Sequence, residues 1–177
     1  MEGHDDEARL VQQSRDGDSA AFATLVARYQ QMIHALTFRM TGSMADAEDL
    51  AQETFVRAWR QLAGYRGDAK FSSWLYRIGI NTCLNWQKSR QRRERLHEEL
   101  AHQDHAPDRL DEITARVQAA LLKLSPKQRA AIILTVYEEM SHAEAARVLG
   151  CSETTVSWRV HVARQRLKQW LQNDPSL

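Results

Sequence analysis

Proline and glycine are scarce, at three and seven among 177 residues. A chain so poor in both has neither the repeat bias of a fibrous protein nor the composition of a low-complexity tail; with 43% hydrophobic and 27% charged residues it reads as folded and predominantly helical. Cysteine is scarcer still. Cys83 and Cys151 stand alone in opposite halves, neither at zinc-ligand spacing from another cysteine or a histidine, so no disulfide framework and no structural metal is expected. No apolar run approaches the roughly 18 residues of a membrane span. The acidic opening MEGHDDEARL lacks the basic-then-apolar order of a signal peptide. The expected address is therefore the cytoplasm, without membrane insertion. Alternating, strand-like runs are also missing, which makes the expected fold class all-α.

The net charge of +1 hides strong segregation. Residues 1–56 hold four bases and ten acids, net −6, and residues 57–93 hold nine bases and one acid, net +8. Residues 94–122 return to −4 and residues 123–177 to +3. Basic blocks suit a polyanion, whereas acidic blocks suit a protein partner or a solvated face.

Helical periodicity divides the chain. A short helix from about Asp5 to Arg15 stops at Gly17, and the next aligns Phe22, Leu25, Val26, Tyr29, Ile33, Leu36 and Met40 before Gly42. Ser43 and Asp46 resemble a capping box opening a third helix, with Met44, Ala47, Leu50, Ala51, Phe55, Ala58 and Leu62 inside. The loop AGYRGDAK leads to FSSWLYRIGINTCLNWQKSRQRR, residues 71–93, which combines aromatics, two asparagines and five bases without an acid. An ordinary packing helix mixes both charge signs on its outer face. The charged run KSRQRRERLHEELAHQDHAPD reads as a helix tail passing into a flexible linker. After Pro107, Asp108 can cap a helix with Leu110, Ile113, Val117, Leu121 and Leu124 inside; Ser125-Pro126 starts another through Ile133, Val136 and Tyr137 to about Met140. The expected organisation is two small helical domains, residues 1–93 and 108–177, joined by a linker at 94–107.

In SHAEAARVLGCSETTVSWRVHVARQRLKQWL, Ser141 and Glu144 form a capping box, and Ala146, Gly150 and Val156 have the small, turn and anchor spacing of a helix-turn-helix. Val156, Val160, Ala163, Leu167 and Trp170 or Leu171 point inward on the second helix. Ser157, Trp158, His161, Val162, Arg164, Gln165 and Lys168 lie on the other side, where they can meet base edges and phosphates.

These residues resemble the bacterial sigma factors of the extracytoplasmic-function (ECF) type. DAEDLAQETFVRAWRQL (46–62), GYRGDAKFSSWLYRIGINTCLN (64–85) and LSPKQRAAIILTVYEEMSHAEAARVLGCSETTVSWRVHVARQRL (124–167) carry the resemblance in order. It implies a non-enzymatic specificity subunit with no catalytic residue and no cofactor, which binds core RNA polymerase and directs promoter-specific initiation. Asp46, Asp49, Gln52, Glu53, Arg57 and Arg60 would dock on the clamp helices of the beta-prime subunit, and the beta flap is a further contact. Tyr65, Arg66, Asp68, Lys70, Trp74, Arg77, Asn81, Asn85 and Lys88 would melt the minus-ten element and hold its non-template strand. That task needs flat groups for bases and fixed cations for phosphates. Ser152, Thr154, Thr155, Ser157, Trp158, Arg159, His161, Arg164 and Lys168 would read the minus-thirty-five duplex. An anti-sigma factor covering these surfaces is also implied, able to hold the chain near the membrane.

Other readings compete. Phe71, Leu75 and Ile78 read as core, Tyr76 and Trp86 can join them, and Trp74 can be half-buried. Arg90, Arg92 and Arg93 fit backbone phosphates or a solvated helix tail. A stand-alone helix-turn-helix regulator explains residues 141–168 but leaves the aromatic-basic helix unused. A metal-dependent nuclease on Asp46, Asp49 and Glu53 would need oxygen ligands from several segments, and no metal is expected.

Overall fold

The computed structural model describes residues 2–96 and 112–172, and among these it forms eight α-helices and no strand. They are α1 (Glu2–Arg15), α2 (Ser19–Thr41), α3 (Met44–Gln61), α4 (Phe71–Leu96), α5 (Glu112–Lys123), α6 (Pro126–Ile132), α7 (His142–Leu149) and α8 (Glu153–Gln172). Most of the expected linker, with Asp108 and Leu110, lies outside the described residues. No helix among them is long and apolar enough to cross a membrane.

Local chemistry sets the boundaries of α2 and α3. Asp18 accepts the Ala20 and Ala21 N–H groups at 2.9 and 3.1 Å to start α2, Gly42 closes it, and the Ser43 hydroxyl accepts the Asp46 N–H at 3.2 Å to start α3. The α2 stripe buries Leu25, Ile33, Leu36 and Met40 against α3 and α4, each fully buried side chain contributing about 1.5–3 kcal/mol. At the crossing of α4 with α2, a Cβ on Gly79 would stand 2.9 Å from Leu36 Cδ2, so a larger residue there would have to displace the buried Leu36 side chain. Arg28 pairs with Asp6 at 2.6 Å and Tyr29 donates to Glu7, strapping α1 onto the bundle.

Four residues expected inside are exposed. Met44 (45% exposed) is the first residue of α3, ahead of the buried stripe that begins at Ala47. Ile113 (72%) belongs to the first turn of α5, which overhangs an open groove lined by Ala35, Phe38, Val117 and Tyr137. Val136 and Tyr137 (46% and 38%) sit in a π-turn, Ile133–Tyr137, where the Glu138 N–H reaches back five residues to Ile133 O at 3.1 Å. The wider turn rotates the chain out of the 3.6-residue phase, carrying the extrapolated apolar stripe off the inward face.

The two halves pack together around the C-terminal end of α2. Its last carbonyls, of which Phe38 O also accepts the Gly42 N–H at 2.8 Å, accept side chains from three other helices. Gln87 of α4 donates to Met40 O at 2.9 Å; Gln118 of α5 donates to Phe38 O and Arg39 O at 3.1 and 3.3 Å; Arg129 of α6 donates to Met40 O. Arg129 is 5% exposed and also gathers Leu121 O, Leu122 O and Leu124 O at the end of α5, at 2.9, 2.7 and 3.1 Å. A cation at the negative ends of two helix dipoles is favourably placed. Beside it, Glu138 accepts the Tyr76 hydroxyl and pairs with Arg39 at 3.4 Å, and the Arg39 guanidinium stacks over the Tyr137 ring at 4.3 Å.

Candidate nucleic-acid interface

The loop before α4 is closed by its own side chains. Tyr65 donates its hydroxyl to Ala69 O at 2.6 Å, and Arg66 faces Asp68 at 3.4 Å. Phe71, 1% exposed, anchors a ring cluster: Tyr65 meets it edge-on with centroids 5.5 Å apart, Trp74 lies 5.4 Å from it, and Tyr65 and Trp74 are 5.2 Å apart. This packing holds Tyr65 and Trp74 half-buried without sealing them in. Burial, together with the negative charges of Glu7 and Asp68, raises the Tyr65 pKa, so the phenol stays protonated and able to donate.

Both rings line an open depression of about 580 Å³ rimmed by Arg66, Asp68, Lys70 and Arg77. Six sequence candidates therefore meet at one place: Tyr65, Arg66, Asp68, Lys70, Trp74 and Arg77. The other three, Asn81, Asn85 and Lys88, continue as an exposed stripe along α4 at helical spacing from Arg77. Phe71, Leu75, Tyr76 and Ile78 are buried as the packing alternative required. Trp86 is half-buried with Arg90 stacked over its ring at 5.5 Å, whereas Arg92 and Arg93 are exposed. The far wall of the depression was not visible in the sequence: it is α7, through Glu144, Arg147 and Val148.

On α3, Asp49, Gln52 and Arg60 are exposed, Asp46 is half-buried, and the half-buried Glu53 pairs with Arg57 at 2.7 Å. Sequence reasoning missed Val56 and Trp59, apolar yet 43% and 38% exposed beside these groups, with Trp59 packed on Phe22 at 4.9 Å. The available signal was an apolar pair three residues apart outside the inward stripe.

The helix-turn-helix forms as its spacing predicts. Ser141 accepts the Glu144 N–H at 3.2 Å, while the Glu144 carboxylate accepts the Ser141 hydroxyl at 2.8 Å and the Ser141 N–H at 2.9 Å, and these last two bonds hold the Glu144 carboxyl below its ordinary pKa. Gly150 turns the chain in the left-handed region, φ 61°, and Val156 is fully buried beneath α8. Trp158 is 61% exposed, and Thr154, His161, Arg164 and Lys168 are exposed with it. Ser152 and Thr155 are engaged in the α8 cap, their hydroxyls 2.8 Å apart, and half-buried Arg159 reaches the Cys151 thiol at 3.6 Å. Ser157 is 2.8 Å from the ring of His142, a residue the sequence did not single out.

This architecture defines a helical DNA-binding protein with an aromatic-cationic depression in one lobe and a helix-turn-helix in the other. Residues 25–93 match the Sigma-70 region 2 family model and residues 114–167 the Sigma-70 region 4 model. The RNA polymerase sigma-H factor of Pseudomonas aeruginosa is 36% identical over 93% of both chains, and the ECF sigma factor SigW of Bacillus subtilis is 32% identical over 93% of this chain and 96% of its own. Among solved structures, CnrH in complex with the cytosolic domain of CnrY superposes with a TM-score of 0.71 at 34% identity, covering 96% of this chain and 99% of CnrH. RpoE of Bartonella quintana in complex with the anti-sigma factor NepR reaches 0.71 at 27% identity, covering 86% and 98%. The chain belongs to the ECF family of RNA polymerase sigma factors. It directs promoter-specific transcription initiation, and the stand-alone regulator reading is not favoured.

Proposed function

We propose that the loop 65–70 and α4 hold the non-template strand of the minus-ten element, that α8 reads the minus-thirty-five duplex, and that α3 docks on the beta-prime clamp helices of core polymerase. The observation carrying this reading is the depression where Tyr65 and Trp74 line a hollow rimmed by Arg66, Lys70 and Arg77. An extruded base finds ring faces there, and its phosphates find fixed cations along α4. Residues 1–93 and 108–177 then act as separate promoter-reading units, the second also meeting the beta flap. An anti-sigma partner covers the chain as NepR is bound by RpoE. Run-off transcription with core polymerase on a promoter library is the direct test, and no transcript above core alone would overturn the assignment.

Polymerase docking is testable at one residue. Glu53→Arg replaces the carboxylate that pairs with Arg57 by a like charge. Affinity for core polymerase is expected to fall about tenfold in a competition assay, and an unchanged affinity removes this face from the interface.

The packed lobes must also separate on a promoter. Elements about 25 base pairs apart lie roughly 85 Å apart along B-form DNA, whereas a compact chain of this length is only about 40 Å across. Fluorescent labels on α3 and α8 should move apart when core polymerase and promoter bind; an unchanged transfer efficiency would contradict simultaneous reading of both elements.

A further inference from the structure

We propose that His142 is a specificity-determining residue of promoter recognition: it fixes the proton of the Ser157 hydroxyl, and thereby decides whether Ser157 accepts from or donates to a base edge. This rests on the placement of α8 in the major groove. A free serine hydroxyl rotates, donates or accepts as required, and discriminates poorly among base pairs. Ser157 is not free. Its Oγ lies 2.8 Å from Nδ1 of His142, the first residue of α7. Both partners are held in place: the reciprocal Ser141–Glu144 cap fixes the start of α7, and the neighbours Val156 and Val160, 0% and 3% exposed, anchor α8.

A neutral imidazole carries one N–H. In the tautomer favoured in water the proton is on Nε2, so Nδ1 accepts the Ser157 O–H. The hydroxyl then offers the groove only lone pairs, which suit the amino groups of adenine N6 or cytosine N4 and reject guanine O6 and thymine O4. The opposite tautomer would free the serine proton and invert that preference. His142 and Ser157 share an open depression with His161, Arg164, Gln165 and Lys168. A DNA phosphate gathered there by Arg164 and Lys168 would accept a hydrogen bond from Nε2–H and so favour the first of the two neutral tautomers. A histidine that merely filled space would affect all promoter sequences alike, which separates the two roles experimentally.

The test uses the full chain with core polymerase on a library randomised across the minus-thirty-five element, reading base preference position by position. Wild type should favour an amino-bearing base about fivefold at one position, the yield of one hydrogen bond. His142→Phe should flatten that position alone, Ser157→Ala should flatten the same one, and the double variant should match Ser157→Ala. His142→Gln, whose side-chain oxygen can accept, should restore part of the preference. His142→Ala gives the same reading should phenylalanine disturb α7. Even weakening across all positions, or a change at a position Ser157→Ala leaves alone, overturns the proposal. If Trp158→Ala alters preferences while the His142 variants do not, only this assignment fails. If neither Trp158→Ala nor Ser157→Ala alters any preference, the placement of α8 fails and takes the proposal with it.

Discussion

Trp74→Ala combined with Asn81→Ala should reduce open-complex formation by roughly 30- to 1,000-fold while leaving affinity for core polymerase within about twofold. The estimate joins one lost stacking platform, about 1–3 kcal/mol per base, to one lost hydrogen bond of about 1 kcal/mol. Asn81 is exposed, so its truncation costs the fold little, but Trp74 packs on Tyr65 and Phe71. Trp74→Leu is therefore the informative companion: it keeps an apolar side chain against Phe71 and removes the flat face. If Trp74 serves the strand, leucine should melt promoters nearly as poorly as alanine while unfolding at nearly the wild-type temperature. Permanganate reactivity of the melted thymines reads the outcome. Undiminished reactivity in the double variant would mean that the bases lie elsewhere.

The second large effect is on stability. Arg129→Met should lower it by about 3–5 kcal/mol, moving Tm down by roughly 6–20 °C for a chain of this size. The guanidinium serves the carbonyls ending α5 and reaches Met40 O across the seam, and among the described residues it forms no ion pair. Burial pushes its pKa down to about 10 and that of the neighbouring Cys83 up to about 12, so near neutral pH a charged guanidinium lies beside an uncharged thiol. Methionine fills similar space but strands several buried carbonyls. Arg129→Lys should recover less than half the loss, because a point charge cannot match the planar fork that reaches four acceptors. Calorimetry measures both variants, and a fall under 2 °C for Arg129→Met would show that water replaces the guanidinium without cost.

Much of the interface was legible because its signals are local. Helix ends at Asp18, Ser43 and Ser141 are set by hydroxyl or carboxylate groups two or three residues from the N–H they cap. The Ala146, Gly150 and Val156 spacing is a relation within one short segment, and so is the run of α4 residues without an acid. Extrapolation failed where phase or reach changed. The π-turn turned Val136 and Tyr137 outward, and the first turns of α3 and α5 left Met44 and Ile113 uncovered.

Chain order and side-chain chemistry alone thus determined eight helices' worth of amphipathic pattern, the helix-turn-helix, and the aromatic and cationic groups that gather around loop 65–70 and α4. Tertiary structure decided that Gln87, Gln118 and Arg129, from three helices, converge on the end of α2, that α7 walls the depression lined by Tyr65 and Trp74, and that His142 meets Ser157. Periodicity specifies which face a helix buries. It carries no information on which distant carbonyl or ring that face will meet, because such pairings arise only once the helices have packed.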